Sequence, residues 1–280
     1  MKFKLWAILS ATTLALTACG GGGDSDDSSV KVNQSINPNE QPFKMKEQVM
    51  LWQMNKNGML VINDSPATPI GQDSENNTAL TQIKIDGKAI PLMKGTTDAL
   101  SNGTKWNSDI DKNNDYMSVV GADTAYARYG LIALYDNNKK VAKLGLFYQG
   151  NPTSLDDMKK LDTQTADVTY KGQAYILKQG NYDLNQSNTS NPLGIGITQL
   201  TANFKNKTLK GTISQWSSEY ASTLKPVSID AKIQANTFSG TANKTGTVEG
   251  KFYGTDAKEL SGAFNDKSQK LRGVFSGVKQ

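Results

Sequence analysis

The chain has 280 residues, with 31 lysines and arginines against 26 acidic residues, no histidine and one cysteine. The absence of histidine removes the commonest general base and transition-metal ligand, and a single cysteine cannot close an internal disulfide. No GxSxG nucleophile motif occurs. The mild positive charge is spread evenly, without the basic stripe of nucleic-acid binders. We therefore expect neither an enzyme nor a nucleic-acid partner.

Residues 1–18 have the layout of a secretory signal peptide. Lys2 and Lys4 precede the uncharged run LWAILSATTLALTA, which ends in small residues. This run is shorter than the ~20 apolar residues that a membrane-spanning helix needs. The next motif, Leu16 to Cys19, resembles the bacterial lipobox, in which the cysteine receives a lipid and becomes the first mature residue. We expect lipidation of Cys19 and membrane attachment through that lipid, although a lone cysteine could also be cut away with the leader.

Residues 19–41 are predicted to form a flexible tether. Four glycines follow the cysteine, and Asp, Ser and Asn dominate the rest. Such a segment buries too little apolar surface to offset the entropy of ordering it. Fully extended, its ~20 residues would reach roughly 60 Å. Asp24 is not at the position associated with inner-membrane retention in enteric bacteria, so an outer-membrane location is expected.

From Thr165 onward the sequence alternates apolar with polar residues and is interrupted by Lys-Gly, Asn-Lys and Asn-Asp turns. This pattern is typical of antiparallel hairpins. In the clearest example, the segments 200–204 and 209–213 are joined by an Asn206-Lys207 turn. About eight short strands are predicted, and glycines such as Gly250 and Gly273 would allow the bends and bulges that close a small barrel.

The segment GKFYGTDAKELSGAFND, residues 250–266, carries a family resemblance. It is similar to the signature hairpin in the C-terminal barrel of surface lipoproteins of the transferrin-binding-protein-B (TbpB) type, where a Gly-x-Phe-Tyr-Gly strand leads through an Ala-x-Glu-Leu turn to Gly-x-Phe. The resemblance covers roughly residues 165–280. Inside the hairpin, we expect Phe252, Phe264 and Phe275 to belong to the barrel core rather than to a ligand site.

The resemblance implies a mainly β protein with an eight-stranded antiparallel β-barrel at residues 163–280, preceded by a β-rich handle domain at residues 42–162. It implies lipid anchoring at the cell surface and export by a Slam-type, NilB-like outer-membrane protein that reads the barrel. In this family the handle domain varies and carries the partner surface. Within it, strands 131–134 and 141–148 are expected to pair, and Ser154 is expected to cap a short helix at 155–161.

The handle sequence SNGTKWNSDIDKNNDYMSVV, residues 101–120, is predicted to be a long polar loop holding Trp106 and Tyr116. Aromatic side chains on such a loop are plausible contacts for a protein partner. The alternative is that Trp106 folds back onto the handle core. The alternate spacing of a calcium loop is present at Asp109, Asp111, Asn113 and Asp115, but glycine and glutamate are missing where that loop requires them. No metal site is predicted.

A second aromatic set consists of Trp52, Tyr126, Tyr129, Tyr135 and Tyr148, with Arg128 between two of its members. Its tyrosines Tyr126, Tyr129 and Tyr135 are candidate partner contacts together with the arginine itself. Tyrosine can ligate haem iron, so a haem-binding function is an alternative, although strand aromatics more often belong to a core. Trp216 and Tyr220 are expected on a barrel loop, where they either extend an interaction face or close the barrel end.

These observations predict a surface lipoprotein that associates with a host protein or glycan through a non-catalytic surface, without a cofactor apart from its lipid. The alternative is a receptor for haem or for an iron-carrying protein that passes its cargo to an outer-membrane transporter.

Overall fold

The computed structural model describes residues 41–45, 48–66, 79–85, 87–93, 95–99, 105–111, 115–184, 191–217 and 221–280. The predicted leader, Cys19 and residues 19–40 of the tether lie outside these ranges. Within them, no helix has the length and apolar character needed to cross a bilayer.

The handle domain is built on a six-stranded antiparallel sheet. The strands described in this half are β1 Val49–Gln53, β2 Leu60–Ile62, β3 Gln82–Ile85, β4 Lys88–Pro91, β5 Thr96–Ala99, β6 Lys105–Ile110, β7 Tyr116–Gly121, β8 Ala127–Tyr135 and β9 Val141–Gly150. The sheet order is β1-β9-β8-β7-β6-β5. Since β7, β8 and β9 are buried along nearly their whole length, both faces of the central sheet are covered.

The hairpin of β3 and β4 covers one face of this sheet. Its residues Ile83, Ile85 and Ile90 join a buried cluster that includes Ile132 and Phe147 of the sheet. The side-chain amide of Gln149 donates hydrogen bonds to the carbonyl oxygens of two residues at the start of the hairpin, Ala79 and Gln82. The opposite face is therefore the one left for the barrel.

The C-terminal half forms a closed eight-stranded barrel. Its strands, together with the short β11, are β10 Val168–Lys178, β11 Gly180–Tyr182, β12 Leu193–Asn203, β13 Thr208–Ser217, β14 Val227–Gln234, β15 Thr237–Ala242, β16 Thr247–Tyr253, β17 Glu259–Asp266 and β18 Leu271–Lys279. Strand β18 pairs with β10 and closes the ring, while β11 pairs with β2 of the handle domain. The predicted mainly β fold, with an eight-stranded antiparallel barrel after a β-rich domain, is confirmed.

Aromatic rings fill the barrel. Phe252 packs against Tyr170, Phe204 and Phe238, with ring centroids 5.3–6.0 Å apart. The predicted core positions Phe252, Phe264 and Phe275 are all buried here. Glycines make room for the rings, because a Cβ on Gly250 would lie 2.2 Å from the ring of Phe238. Gly250 lies in a regular pairing of β16 with β17, so the predicted role of this glycine in bulges is replaced by a packing role.

A helix and an indole lie at opposite ends of the barrel. At one end is α1, Leu155–Leu161, which inserts Met158 and Leu161 into the barrel core. The Ser154 hydroxyl accepts a hydrogen bond from the Asp157 amide at 3.1 Å, so the predicted cap is confirmed. At the other end, Trp216 lies in β13 and packs half-buried against the core. Tyr220 falls outside the described residues.

The main correction concerns residues 101–120. The predicted long loop is wrong, because β6 and β7 occupy most of this segment and pair with each other. Alternating polar side chains concealed the two strands, since β6 lies near the sheet edge and keeps a partly exposed face. The hairpin of β8 and β9 forms with the predicted pairing.

Candidate functional site

The handle sheet packs directly on the outer wall of the barrel. Outward-facing barrel residues and sheet residues form one buried cluster, which includes Tyr175, Leu177, Ala263, Val274, Trp52, Val119, Tyr129 and Leu146. The rings of Tyr129 and Tyr175, one from each domain, lie 5.6 Å apart. Because this apolar cluster is continuous across the two domains, the handle domain has a fixed orientation on the barrel.

One barrel carboxylate holds the turn between β7 and β8, residues 122–127, which we name the clasp turn. Oε1 of Glu259 accepts a hydrogen bond from the Ala125 amide at 2.7 Å. Its Oε2 accepts from the amides of Tyr126 and Ala127 at 2.9 and 3.0 Å. The side chain of Glu259 is only 3% exposed. Three charge-assisted hydrogen bonds satisfy a carboxylate whose burial would otherwise be costly.

A second buried carboxylate lies inside the clasp turn. Asp123 accepts hydrogen bonds from the Tyr129 hydroxyl at 2.6 Å and from the Ser276 hydroxyl of the barrel at 2.9 Å. Burial raises the pKa of Asp123, and the nearby negative charge of Glu259 raises it further. The turn thus brings two acidic side chains, Asp123 and Glu259, close together at the edge of the domain interface.

The domains are also linked at the other end of the interface strands. The Arg272 side chain donates a hydrogen bond to the Asp64 carbonyl oxygen. The Asp64 carboxylate accepts from the amide groups of Gln179 and Asn265 at 2.9 and 3.1 Å. Polar contacts therefore border the apolar interface at both ends, and this gives the interface a defined register.

The structure buries most of the predicted partner contacts. Trp106 belongs to the handle core, so the alternative of a folded-back indole holds and its prediction as an exposed hot spot is wrong. Tyr116 is buried and donates to Asp109 at 3.0 Å, and burial together with that carboxylate raises its pKa to about 12. Tyr129 is fully buried, whereas Tyr126 and Tyr135 are half-buried.

Arg128 is also buried, at 6% exposure, although it lies in the clasp region near the surface. Its Nη1 donates to the carbonyl oxygens of Thr124 and Ala127. The clasp turn is thus held between a cation that binds its carbonyl groups and Glu259, which binds its amides. Because Arg128 is buried, it can act as the predicted partner contact only if a neighbouring side chain moves.

Three of the aromatic residues considered for haem are buried rather than exposed on the surface. Trp52, Tyr129 and Tyr148 are packed in the core between the domains. An apolar cleft at the edge of that core, lined by residues such as Met117, Leu144 and Leu193, has a volume of about 20 Å³. This volume admits about one water molecule, so the cleft does not accommodate a porphyrin.

Asp109, Asp111 and Asp115 of the rejected calcium pattern lie near the turn of β6 and β7, while Asn113 is outside the described residues. In the ranges that the structure describes, no group of three or more acidic or cysteine side chains is placed to hold a metal ion. Asp115 instead pairs with Lys88 at 3.0 Å and with Lys139 at 3.5 Å. Its hydrogen bond with Lys88 lowers its pKa.

Sequence reasoning missed two kinds of functional candidate. The sequence places Glu259 in a barrel hairpin but does not indicate its contact with the handle domain. No local pattern distinguishes a carboxylate that faces another domain from one that faces water. Met93 and Ile110, each 55% exposed, are large apolar side chains on the handle surface. Their exposure depends on where the sheet ends, which hydrophobicity alone does not indicate.

Comparison with known proteins adds the family context. Residues 163–279 match the family model described as the C-lobe and N-lobe beta barrels of Tf-binding protein B. The protein carries a TbpB-like barrel. Over 318 aligned residues it is 29% identical to an uncharacterized protein of Haemophilus influenzae strain KW20 Rd, covering 99% of this chain and 98% of that relative.

The chain is also 26% identical to transferrin-binding protein B of Haemophilus influenzae strain 86-028NP, covering 94% of this chain and 43% of that protein. Among solved structures, intact Ap-TbpB has a TM-score of 0.52 at 21% identity, covering 83% of this chain and 46% of that one. TbpB from serogroup B Neisseria meningitidis has the same TM-score at 19% identity, covering 83% and 43%. The TbpB-like chain therefore spans less than half the length of these TbpB proteins.

We expect Glu259→Gln to loosen the clasp turn of this TbpB-like protein. A single amide oxygen replaces two carboxylate oxygens, so at least one buried N–H loses its partner, and the free energy of unfolding should fall by about 2–3 kcal/mol. Chemical denaturation measures this loss, and hydrogen exchange should accelerate at the amides of residues 125–127. Asp230→Asn is the control, because Asp230 pairs with Lys210 on the exposed barrel wall. Equal effects of the two substitutions would contradict the clasp.

The second prediction concerns pH. Because the pKa of Asp123 is raised in the fold above its ordinary 3.8, the folded protein holds that proton more tightly than the unfolded chain, and ionisation costs stability as the pH rises above about 4. The melting temperature of Asp123→Asn, relative to the unmutated protein, should therefore increase between pH 4 and pH 7. Asp115→Asn should show no such increase, because the pKa of Asp115 is lowered. If the difference in melting temperature between Asp123→Asn and the unmutated protein does not change with pH, this interpretation is refuted.

Proposed function

We propose that the chain is a lipid-anchored protein of the outer-membrane surface that binds a host protein without catalysing a reaction, and that the host protein is an iron carrier. The match of residues 163–279 to the TbpB barrel family carries this proposal. Two relatives named transferrin-binding protein B, both from Haemophilus influenzae, support the choice of an iron-carrying partner.

The arrangement of the domains is consistent with a binding protein. Glu259 and Arg272 fix the handle sheet to the barrel wall, and a surface with a constant orientation has a lower ordering cost on binding. Within the described surface, the large exposed apolar side chains are Met93, Ile110 and Leu155.

Membrane attachment would occur through the lipid on Cys19 and the tether that follows. The described chain begins beside the barrel, where the Phe43 amide donates to the Thr237 hydroxyl at 2.8 Å and the Gln41 carbonyl oxygen accepts from Gln234. These contacts lie at the barrel end that holds α1. We infer that an anchor at Cys19 would be joined to the folded part of the protein at this end of the barrel.

The finer proposal is that host binding serves colonisation of a host tissue, after export by a Slam-type protein. Four glycines after Cys19 and the lack of histidine resemble NilC, a nematode-colonisation lipoprotein whose outer-membrane partner is NilB. A host glycan is the alternative partner for this role.

The binding proposal is tested with the full lipidated chain, which is solubilised in detergent and immobilised through its lipid. The immobilised chain is titrated with iron-loaded transferrin, iron-free transferrin, lactoferrin and haemoglobin. We expect saturable binding of at least one carrier, measured by interferometry. Haemin added alone is the control for the alternative receptor function. A saturable haem spectrum without carrier binding would replace the proposal, and a response to none of these ligands would refute the iron-carrier class.

The anchor is tested separately by metabolic labelling with a radioactive fatty acid. The unmutated chain should incorporate label and partition with the outer membrane, whereas Cys19→Ala should incorporate none because the acceptor thiol is missing. Equal labelling of both proteins would rule out Cys19 as the lipid site. Cys19→Ser is a matched variant that keeps the size of the side chain.

A further inference from the structure

The guanidinium of Arg128 has two parts with different contacts. Its Nη1 donates to Thr124 and Ala127 and so supports the clasp turn. The remaining edge, formed by Nε and Nη2, points away from that turn toward Met93. This edge carries two parallel N–H donors, which is the geometry that binds a carboxylate through both of its oxygens.

Both donors of this edge meet the same weak acceptor. Nε and Nη2 of Arg128 lie 3.0 and 2.7 Å from Sδ of Met93. A thioether sulfur is a poor hydrogen-bond acceptor. Burial lowers the pKa of Arg128, and only the field of Glu259 across the turn opposes this effect. Among the described side chains, none forms an ion pair with Arg128. The charge is therefore poorly compensated on the edge that Met93 covers.

Met93 is well suited to be displaced. Its side chain is 55% exposed, whereas the guanidinium beneath it belongs to a residue that is 6% exposed. Methionine has three rotatable side-chain bonds and adapts readily to a new neighbour. A rotation of Met93 would free Nε and Nη2 for another acceptor, while Nη1 would keep its contacts with the clasp turn.

We propose that the Nε and Nη2 edge of Arg128, covered by Met93, is a binding site for a carboxylate, and that an acidic side chain of the protein partner supplies it. The partially desolvated setting strengthens such an ion pair relative to one on an open surface. The site itself follows from the geometry of Arg128 and Met93, whereas its assignment to a partner rests on the proposed function above.

The site is tested first within the chain, by placing a carboxylate where the sulfur lies. Met93→Glu should bind the Arg128 edge intramolecularly, and Met93→Gln is the neutral variant of nearly equal shape. At pH 7 we expect the melting temperature of Met93→Glu to exceed that of Met93→Gln by about 2–4 °C. The difference should vanish at about pH 3, where the glutamate is protonated. A Met93→Glu protein that is no more stable than Met93→Gln at pH 7 overturns the site.

Two controls separate a direct ion pair from a general charge effect. Ile110 is exposed to the same extent as Met93 but lies between Asp109 and Asp111, so Ile110→Glu should melt no higher than Ile110→Gln. Arg128→Lys keeps the charge and loses the paired donors, and the advantage of glutamate over glutamine at position 93 should shrink by more than half in that background. An advantage that persists unchanged in the Arg128→Lys background would show that no bidentate contact forms.

The source of the carboxylate is tested with the iron carrier that binds in the experiment above. Met93→Glu occupies the edge in advance, so its affinity for that carrier should be at least tenfold weaker than that of Met93→Gln. Equal affinities of the two variants would show that the carrier does not bind at the Arg128 edge. Inorganic phosphate at about 10 mM should leave the melting temperature of the unmutated chain unchanged, and a rise would assign the edge to a free oxyanion instead. If no carrier binds, the melting experiment still decides whether the site exists.

Discussion

Three backbone N–H groups of the handle domain converge on one carboxylate of the barrel, and the placement of the two domains depends on this contact. Glu259 projects from the outer wall of the barrel, where a charged side chain would ordinarily face water. Because the handle domain covers this carboxylate, hydrogen bonds must replace the water that it has lost. The amides of residues 125–127 meet that need, so the turn can dock in one orientation only.

The same turn has a cation on its other side. Arg128 binds the carbonyl groups of Thr124 and Ala127, so the peptide dipoles of the turn lie between a positive and a negative charge. Both side chains thus find hydrogen-bond partners in the turn without a direct ion pair between them. The other edge of Arg128 donates to the sulfur of Met93, so the residue that supports the turn also contacts an exposed side chain of the handle domain.

The apolar part of the interface explains why the two halves behave as one unit. Tyr175 and Val274 of the barrel pack with Trp52 and Tyr129 of the handle domain in a single core, so separating the domains would expose large apolar side chains. For a binding protein this rigidity has a benefit, since little conformational entropy is lost when the handle surface meets a partner. The similarity to TbpB structures, at TM-scores of 0.52, concerns this fold and does not by itself identify a ligand.

The sequence by itself determined the elements whose information is local. Alternating residues and turns predict the barrel strands, Ser154 predicts the cap of α1, and the phenylalanines of residues 250–266 predict the barrel core, because side-chain period and turn chemistry act between near neighbours. Only the tertiary structure decided that Trp106 is buried, that residues 105–110 and 116–121 form two paired strands, and that Glu259 and Arg128 hold one turn between them. Glu259 binds a turn that lies more than 100 positions earlier in the chain. The local sequence around Glu259 does not indicate which distant segment will cover this side chain.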